Sequence, residues 1–286
     1  MMEVFKRSLR RSLQWLLPHW RLPGKFWIAD VLGARIAPVP PEELLPIGGI
    51  NVRIDHRLVP CRHMYYGIYE QDFVRFLQRT LQRGDAFIDL GANIGYMTAI
   101  AHQLVGEEGV VLAFEPSRTC QDQLRTDNPV LPKGVHLSAA AIMDHGGRFP
   151  FLETPQVISH GFSCLFHDRK AAAGDQVYEV QAVTLDEVVE QERLTRIACV
   201  KVDIEGAEHI ALLGAQNLLR TGAVDHWLVE TTNLRPVSRA VNEKVIALLT
   251  SHGYRSFLPD RRGTLHPYHI DLSTTFRHDI IWRRGS

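Results

Sequence analysis

The sequence predicts an α/β protein built on a doubly wound, mostly parallel sheet, preceded by an N-terminal helical and β extension. Three observations carry that expectation. Short, nearly continuous apolar runs alternate with stretches of helical periodicity, the pattern of buried parallel strands covered on both faces. The first core run, Ala86-Phe87-Ile88-Asp89-Leu90, enters a small-residue turn, Gly91-Ala92-Asn93-Ile94-Gly95, that opens a helix at once. A second apolar run, Val110-Val111-Leu112-Ala113-Phe114, ends in an acid, Glu115, followed by Pro116. A glycine turn admits a ligand to the backbone, and an acid about 20 residues further on accepts the hydroxyls of a ribose.

Taken in order, Phe5, Leu9, Leu13, Leu16 and Leu17 follow helical spacing until Pro18 stops the helix. This segment is basic, with Lys6, Arg7, Arg10 and Arg11 against Glu3. Such a helix either rests on an anionic membrane surface or packs on its own domain with a solvated basic face; packing is the ordinary arrangement. Pro38, Pro40, Pro41, Pro46, Gly48 and Gly49 mark residues 36–50 as a loop or linker. An alternating stretch from Asn51 to Val59 suits a short strand. Phe73, Val74, Phe76, Leu77 and Leu81 then recur at helical spacing, and Arg83-Gly84-Asp85 closes that helix.

Core strands are expected at 86–90, 110–114, 135–140, 198–204 and 226–230, with helices at 94–105, 117–127, 207–220 and 240–251. Residues 144–183 break the rhythm with strand-like pieces at Arg148–Leu152 and Gln176–Val183 around the loop His160-Gly161-Phe162-Ser163-Cys164. A last strand is expected from Asp279 to Trp282.

The 286 residues include 32 Lys plus Arg against 32 Asp plus Glu, so no basic excess argues for nucleic acid as a partner. With 45% hydrophobic residues the chain can build a core, yet no apolar run reaches membrane-spanning length. The N-terminus lacks the uninterrupted apolar stretch of a secretory signal. Cys61, Cys120, Cys164 and Cys199 form no Cys-x-x-Cys pair, which argues against a zinc ribbon and reads as free thiols in a reducing cytoplasm.

The chemistry gathers at three strand ends. In the first turn Asn93 stands where a dinucleotide fingerprint has its second glycine. Asp89, at the end of the strand, would repel a pyrophosphate but accepts hydrogen bonds from an ammonium or from the turn. S-adenosylmethionine carries an ammonium and no phosphate, so it fits better than NAD. Glu115 is either a ribose acceptor or a neighbour of the next helix N-cap, and its spacing from Gly91 favours the ribose. In the third cluster, Val200-Lys201-Val202-Asp203-Ile204-Glu205-Gly206-Ala207-Glu208, alternation puts Lys201, Asp203 and Glu205 on one side. Asp203 is assigned to the methionine moiety or the reacting centre and Glu205 to general base. The competing reading is a Lys201 ion pair with Asp203 or Glu205. Glu208 fits dipole compensation in the first helical turn. Glu70 either reaches the cofactor's amino end or caps a helix. Glu230 with Asp203 offers oxygen ligands for a divalent ion, but a structural carboxylate is the simpler reading and no metal is expected. His160 and His167 flank the irregular loop as weaker candidate bases.

Four linked segments, Phe87 to Tyr96, Ala113 to Pro116, Val183 to Asp186, and Val200 to Glu208 with Gly214-Ala215, resemble in order and spacing the FkbM family of S-adenosylmethionine-dependent methyltransferases. The resemblance spans about residues 64 to 232, with Gly67 to Glu70 as an upstream element. It implies the class I methyltransferase (Rossmann-like) fold in residues 64–286, with 1–63 as the extension. It also implies methylation of a hydroxyl on a sugar, glycolipid or polyketide-type natural product. Asp89, Gly91, Asn93, Gly95 and Glu115 would then hold the cofactor, with Ala92 and Pro116 in the same turns, Asp203 opposite, and Ala140 and Ala141 beside the adenine. The family often carries two serines where this chain has Ser163-Cys164, and its first 60 residues are not covered. The alternatives are a Rossmann oxidoreductase and a non-catalytic, membrane-peripheral protein of the same fold.

Overall fold

The computed structural model describes residues 2–20, 23–154, 164–165, 173–232, 236–274 and 277–285. Among these the strands form three sheets. The first is a hairpin of β1 (Glu42–Ile47) and β2 (Ile50–Asp55), closed by Gly48-Gly49. The expected linker therefore contains a strand. Pro46 is tolerated because a two-stranded ribbon leaves each strand an edge that needs no ladder donor. The strand expected at 51–59 ends at Asp55, and Val59 opens a short helix, α2 (Val59–Tyr65), after α1 (Met2–Leu16).

The central sheet has eight strands. Its parallel part comprises β3 (Ala86–Leu90), β4 (Val110–Phe114), β5 (Val135–Ser138), β10 (Ile197–Val202) and β11 (Val224–Thr232). Their spatial order is β5-β4-β3-β10-β11. The antiparallel strand β14 (Arg277–Arg284) follows β11, then β12 (Tyr254–Pro259) and β13 (Leu265–Pro267). The chain winds outward in one direction from β3 and then in the other from β10, so the switch point falls between those two strands. Crossover connections on opposite faces leave a crevice there, at the carboxyl ends. This is the class I methyltransferase architecture.

Alternation divides β3 between the two faces. Phe87 joins the cluster that holds Met97, Ile100, Cys199 and Leu228, while Ile88 and Leu90 join the cluster of Val200, Val202, Trp227 and Val229. The same alternation puts Asp89, Lys201 and Glu230 on the Phe87 face. That face is covered by α4 (Tyr96–Val105) and α3 (Gln71–Thr80). All five residues of β3 are buried, so the strand reads as a continuous apolar run interrupted by one acid.

Among the described residues the other helices of six residues or more are α5 (Arg118–Asp127), α6 (Leu185–Gln191), α7 (Glu208–Leu213), α8 (Gln216–Thr221) and α9 (Pro236–Ser251). α4 and α5 start one or two residues inside their expected ranges, while α9 starts at Pro236, ahead of the expected 240; two larger differences remain. The single helix expected at 207–220 is two. Gly214 lies so close to the neighbouring chain that a Cβ there would sit 2.0 Å from the Met143 carbonyl oxygen. The helix restarts because Asp186 accepts the amides of Asn217 (2.8 Å) and Leu218 (3.1 Å). The strand expected at 135–140 stops at Ser138. Ala141–Ile142 forms β6, paired with β9 (Gln176–Val183) in a third sheet that also holds β7 (Gly147–Glu153) and β8 (Cys164–Leu165).

Leu13 and Leu17 are buried in the core of the main body. Phe5, however, is 67% exposed, Trp15 72% and Leu16 37%. No helix among the described residues is long and apolar enough to cross a membrane. Cys61, Cys120 and Cys199 are free and buried.

Candidate functional site

The β3 turn is built by close backbone packing. Gly91 has φ 83°, and a Cβ on it would lie 1.9 Å from the Asp203 carbonyl oxygen. The glycine is therefore demanded by the crossing of the β3 and β10 ends, a requirement separate from any ligand. Asn93 takes a left-handed φ of 49°, and Gly95 precedes α4.

Glu115 leaves the end of β4 with only 6% exposure. Its Oε2 accepts the Asn93 amide at 2.8 Å and its Oε1 accepts the Ser117 amide at 2.9 Å. Burial pushes its pKa up to about 7 despite those two donors, with the Asp89 charge adding to the rise. Each carboxylate oxygen keeps a free lone pair. The α5 N-terminus is capped from elsewhere. Ser117 accepts the Cys120 amide, and Glu153 of β7 accepts the Arg118 amide at 2.9 Å together with Thr119 Oγ1 and Tyr178 Oη. Neither Glu153 nor Tyr178 stood out in the sequence. They lie 35 and 60 residues from Arg118 and are joined to it only by the third sheet.

Across the switch point the groups are charged and crowded. Asp89 is fully buried. Thr98 Oγ1 donates to its Oδ2 at 2.6 Å, and Lys201 Nζ lies 3.5 Å from its Oδ1. Lys201 and Asp89 face one another in register across β10 and β3. The same ammonium is 3.0 Å from Asp203 Oδ2 and donates to the Gly91 carbonyl at 3.3 Å. The ion pair weighed for Lys201 and Asp203 is thus present, with Asp89 as a further partner. Burial alone would lower the Lys201 pKa, but Asp203, Asp89 and Glu70 together hold it above its usual value.

Glu70 precedes α3 with a left-handed φ of 43°, an uncommon backbone for a non-glycine residue. Burial and the Asp203 charge push its pKa up to about 7, against the pull of Lys201. No side-chain cap of α3 comes from it. Glu205 also has a left-handed φ, 54°. It joins Asp203 and Glu230 through the turn after β10 and not through strand alternation, since β10 ends at Val202. Carboxylate oxygens of Asp203, Glu205 and Glu230 all lie within 4.8 Å of one another, an arrangement able to hold a metal ion. Burial, with Asp203, Glu205, Glu208 and Asp279 nearby, pushes the Glu230 pKa up to about 10.

Glu208 does more than balance a helix dipole. Only 4% exposed, its Oε1 accepts the amides of Gly206 (2.9 Å) and Ile204 (3.2 Å) and clamps the turn that carries Glu205. Ala141 is buried in β6, and Ala140 is half-buried with its amide donating to Ser138 Oγ at 3.2 Å. His160 and His167 lie outside the described residues.

The family described as "Methyltransferase FkbM domain" matches residues 89–256, more than half of the chain. A hexuronic acid methyltransferase, AglP, from Haloferax volcanii is 27% identical over 152 residues, covering 53% of this chain and 59% of that protein. The chain thus spans less than two thirds of the length of this curated relative. Among solved structures, a methyltransferase FkbM from Methylobacillus flagellatus superposes with a TM-score of 0.41 at 12% identity, covering 78% of this chain and 54% of that one. A SAM-dependent O-methyltransferase from Thermotoga maritima gives 0.41 at 12% identity, over 76% of this chain and 65% of that one. The chain belongs to the FkbM methyltransferase family.

Proposed function

We propose that this member of the FkbM family binds S-adenosylmethionine in the crevice between β3 and β10 and transfers its methyl group to an oxygen of a sugar-type acceptor. The observation that carries the reading is the crowding of carboxylates in the crevice. Asp89 and Asp203 lie within 3.5 Å of Lys201, carboxylate oxygens of Asp203, Glu205 and Glu230 lie within 4.8 Å of one another, and burial and mutual repulsion raise the pKa of Glu70 to about 7 and of Glu230 to about 10. Such a site favours a ligand bearing positive charge and disfavours a diphosphate.

Glu115, pinned by two amides, is the acceptor for the ribose hydroxyls. Gly91, Ala92, Asn93, Gly95 and Pro116 shape the walls of the same pocket, and Ala140 and Ala141 are assigned to the adenine side. Glu70, Asp89 and Asp203 supply the negative field for the amino-acid end, Asp89 through Lys201 and Thr98 and without direct contact. When bound, S-adenosylmethionine supplies a methyl already activated on a sulfonium. The protein's task is then alignment, which is worth several kcal/mol when two reactants are held in line. Glu205, set on a left-handed turn that Glu208 clamps, is proposed to take the acceptor proton, with Asp203 beside it. The hexuronic acid methyltransferase relative makes an acidic sugar the first acceptor to try.

The test is incubation with methyl-labelled cofactor and a uronic-acid-containing glycan, followed by mass spectrometry. Label on the glycan with wild type, and a loss of turnover of roughly a hundredfold or more in Glu205→Gln with unchanged S-adenosylhomocysteine affinity, is the expected result. Full turnover in Glu205→Gln removes it as the base. A nicotinamide cofactor bound in place of the adenosyl sulfonium refutes the reading.

A further inference from the structure

The N-terminal helix α1 is apolar on two sides. Leu13 and Leu17 enter the core, and Leu9 packs against it. The opposite side carries Val4 (70% exposed) and Trp15 in the open, and Phe5, at the end of the Leu9 and Leu13 stripe, is open as well. Val4 and Trp15 are eleven residues apart, three helical turns, so they lie along one line, with Ser8 between them. Phe5, Ser12 and Leu16 form the adjacent line. Arg7 and Arg11, one turn apart and both exposed, flank the first line. The acid of this helix, Glu3, lies 3.5 Å from Arg10, whose own side chain is buried and donates to the Ile36 carbonyl. Arg7 and Arg11 therefore dominate the charge of the outward side.

A second exposed aromatic pair follows in the helical turns Lys25–Trp27 and Ile28–Leu32, where Phe26 is 47% and Trp27 65% exposed. Gln71 ties the two segments together, donating to the Pro18 carbonyl at 2.7 Å and accepting from Lys25 Nζ at 2.6 Å. Gln71 is the residue after Glu70, so this surface and the acidic crevice meet at the start of α3.

Bulky aromatic side chains left in water are costly unless something covers them. Tryptophan and phenylalanine interleaved with arginine, on a helix whose other side is already buried, match the boundary between lipid headgroups and acyl chains, where aromatics insert and cations meet anionic headgroups. We infer that the outward face of residues 4–16, together with Phe26 and Trp27, docks this protein on an anionic bilayer and sets the crevice beside the membrane surface. The occupant is assigned by charge: an exposed arginine pair against a surface of phosphate headgroups. Docking stands independently of the methyl-transfer reading, so vesicle binding and methyl transfer can fail separately.

The full chain is sedimented with vesicles of phosphatidylcholine containing about a third phosphatidylglycerol, a composition whose surface charge attracts basic side chains. Expected is binding to these vesicles, and at least roughly tenfold weaker partition to pure phosphatidylcholine or at about 1 M salt, where screening shrinks to about 3 Å. Arg7→Glu with Arg11→Glu, and separately Phe5→Ser with Trp15→Ser, each weaken partition by roughly tenfold or more while the melting temperature holds, because the altered side chains are exposed. Absence of wild-type binding to anionic vesicles at low salt overturns the proposal. So does a dimer in light scattering that Trp15→Ser converts to monomer, for then a second copy covers this face.

Discussion

The two sides of the crevice solve opposite problems. On the β4 side a single carboxylate, Glu115, is held by two backbone amides. On the β10 side Asp89 and Asp203 flank Lys201, Glu205 and Glu230 crowd against Asp203, and the strain shows in the Glu230 pKa of about 10. The first side is finished before any ligand arrives and offers lone pairs to neutral hydroxyls. The second gathers acidic groups and gains from a cation. An adenosyl sulfonium with an ammonium tail has one end suited to each.

The largest expected effect of a single substitution comes from removing the cation that holds the crowded side together. Lys201→Met leaves the fully buried Asp89 without its ammonium, at a cost of about 3–5 kcal/mol in chemical denaturation. Adding Asp89→Asn restores most of that loss. Restoration failing would mean that Lys201 acts through packing and not through charge.

Next is the dependence of ligand-free stability on pH. The folded pKa values of Glu115 and Glu208 are raised by burial to about 7, above the usual 4.5. A carboxyl whose pKa rises on folding stabilises the fold while protonated, fully so below about pH 4, and that contribution is lost as pH climbs through 7. Each of these two buried groups accounts for about 3 kcal/mol over that window. Melting temperatures of the free protein should fall from pH 5 toward pH 8 and fall less with cofactor bound. A flat profile would contradict the burial of these two carboxyls in their protonated form.

Smaller again is Glu115→Ala, which should weaken S-adenosylhomocysteine by roughly tenfold to a hundredfold, the loss of two charge-assisted hydrogen bonds. Equal affinity would show that the finished side of the crevice is merely structural.

Much of this was legible in the chain. The β3 run, the glycine turn and the Glu115 spacing are local patterns, and each stood where the structure has it. For Gly91 the sequence shows the glycine but not the packing that also demands it, against the Asp203 carbonyl more than a hundred positions away. The strand at 42–47 was hidden because proline and glycine composition outweighed a weak alternation. The glycine at 214, where the helix breaks, is demanded by the Met143 carbonyl, a contact that periodicity within one helix does not register. Glu153 and Tyr178 came to α5 through strand pairing in the third sheet, and pairing across such separations leaves no local trace. Alternation also misplaced Glu205, whose left-handed turn brings it to Asp203 after the strand has ended.

The most direct measurement is a calorimetric titration of the protein with S-adenosylmethionine at two pH values, one unit below and one above neutrality. One-to-one binding that tightens at the higher pH, with protons released to the buffer, is the predicted result, since a cation binds best to carboxyls that have ionised. No heat at either pH, or binding that strengthens as the solution turns acid, would contradict a crevice charged for an adenosyl sulfonium.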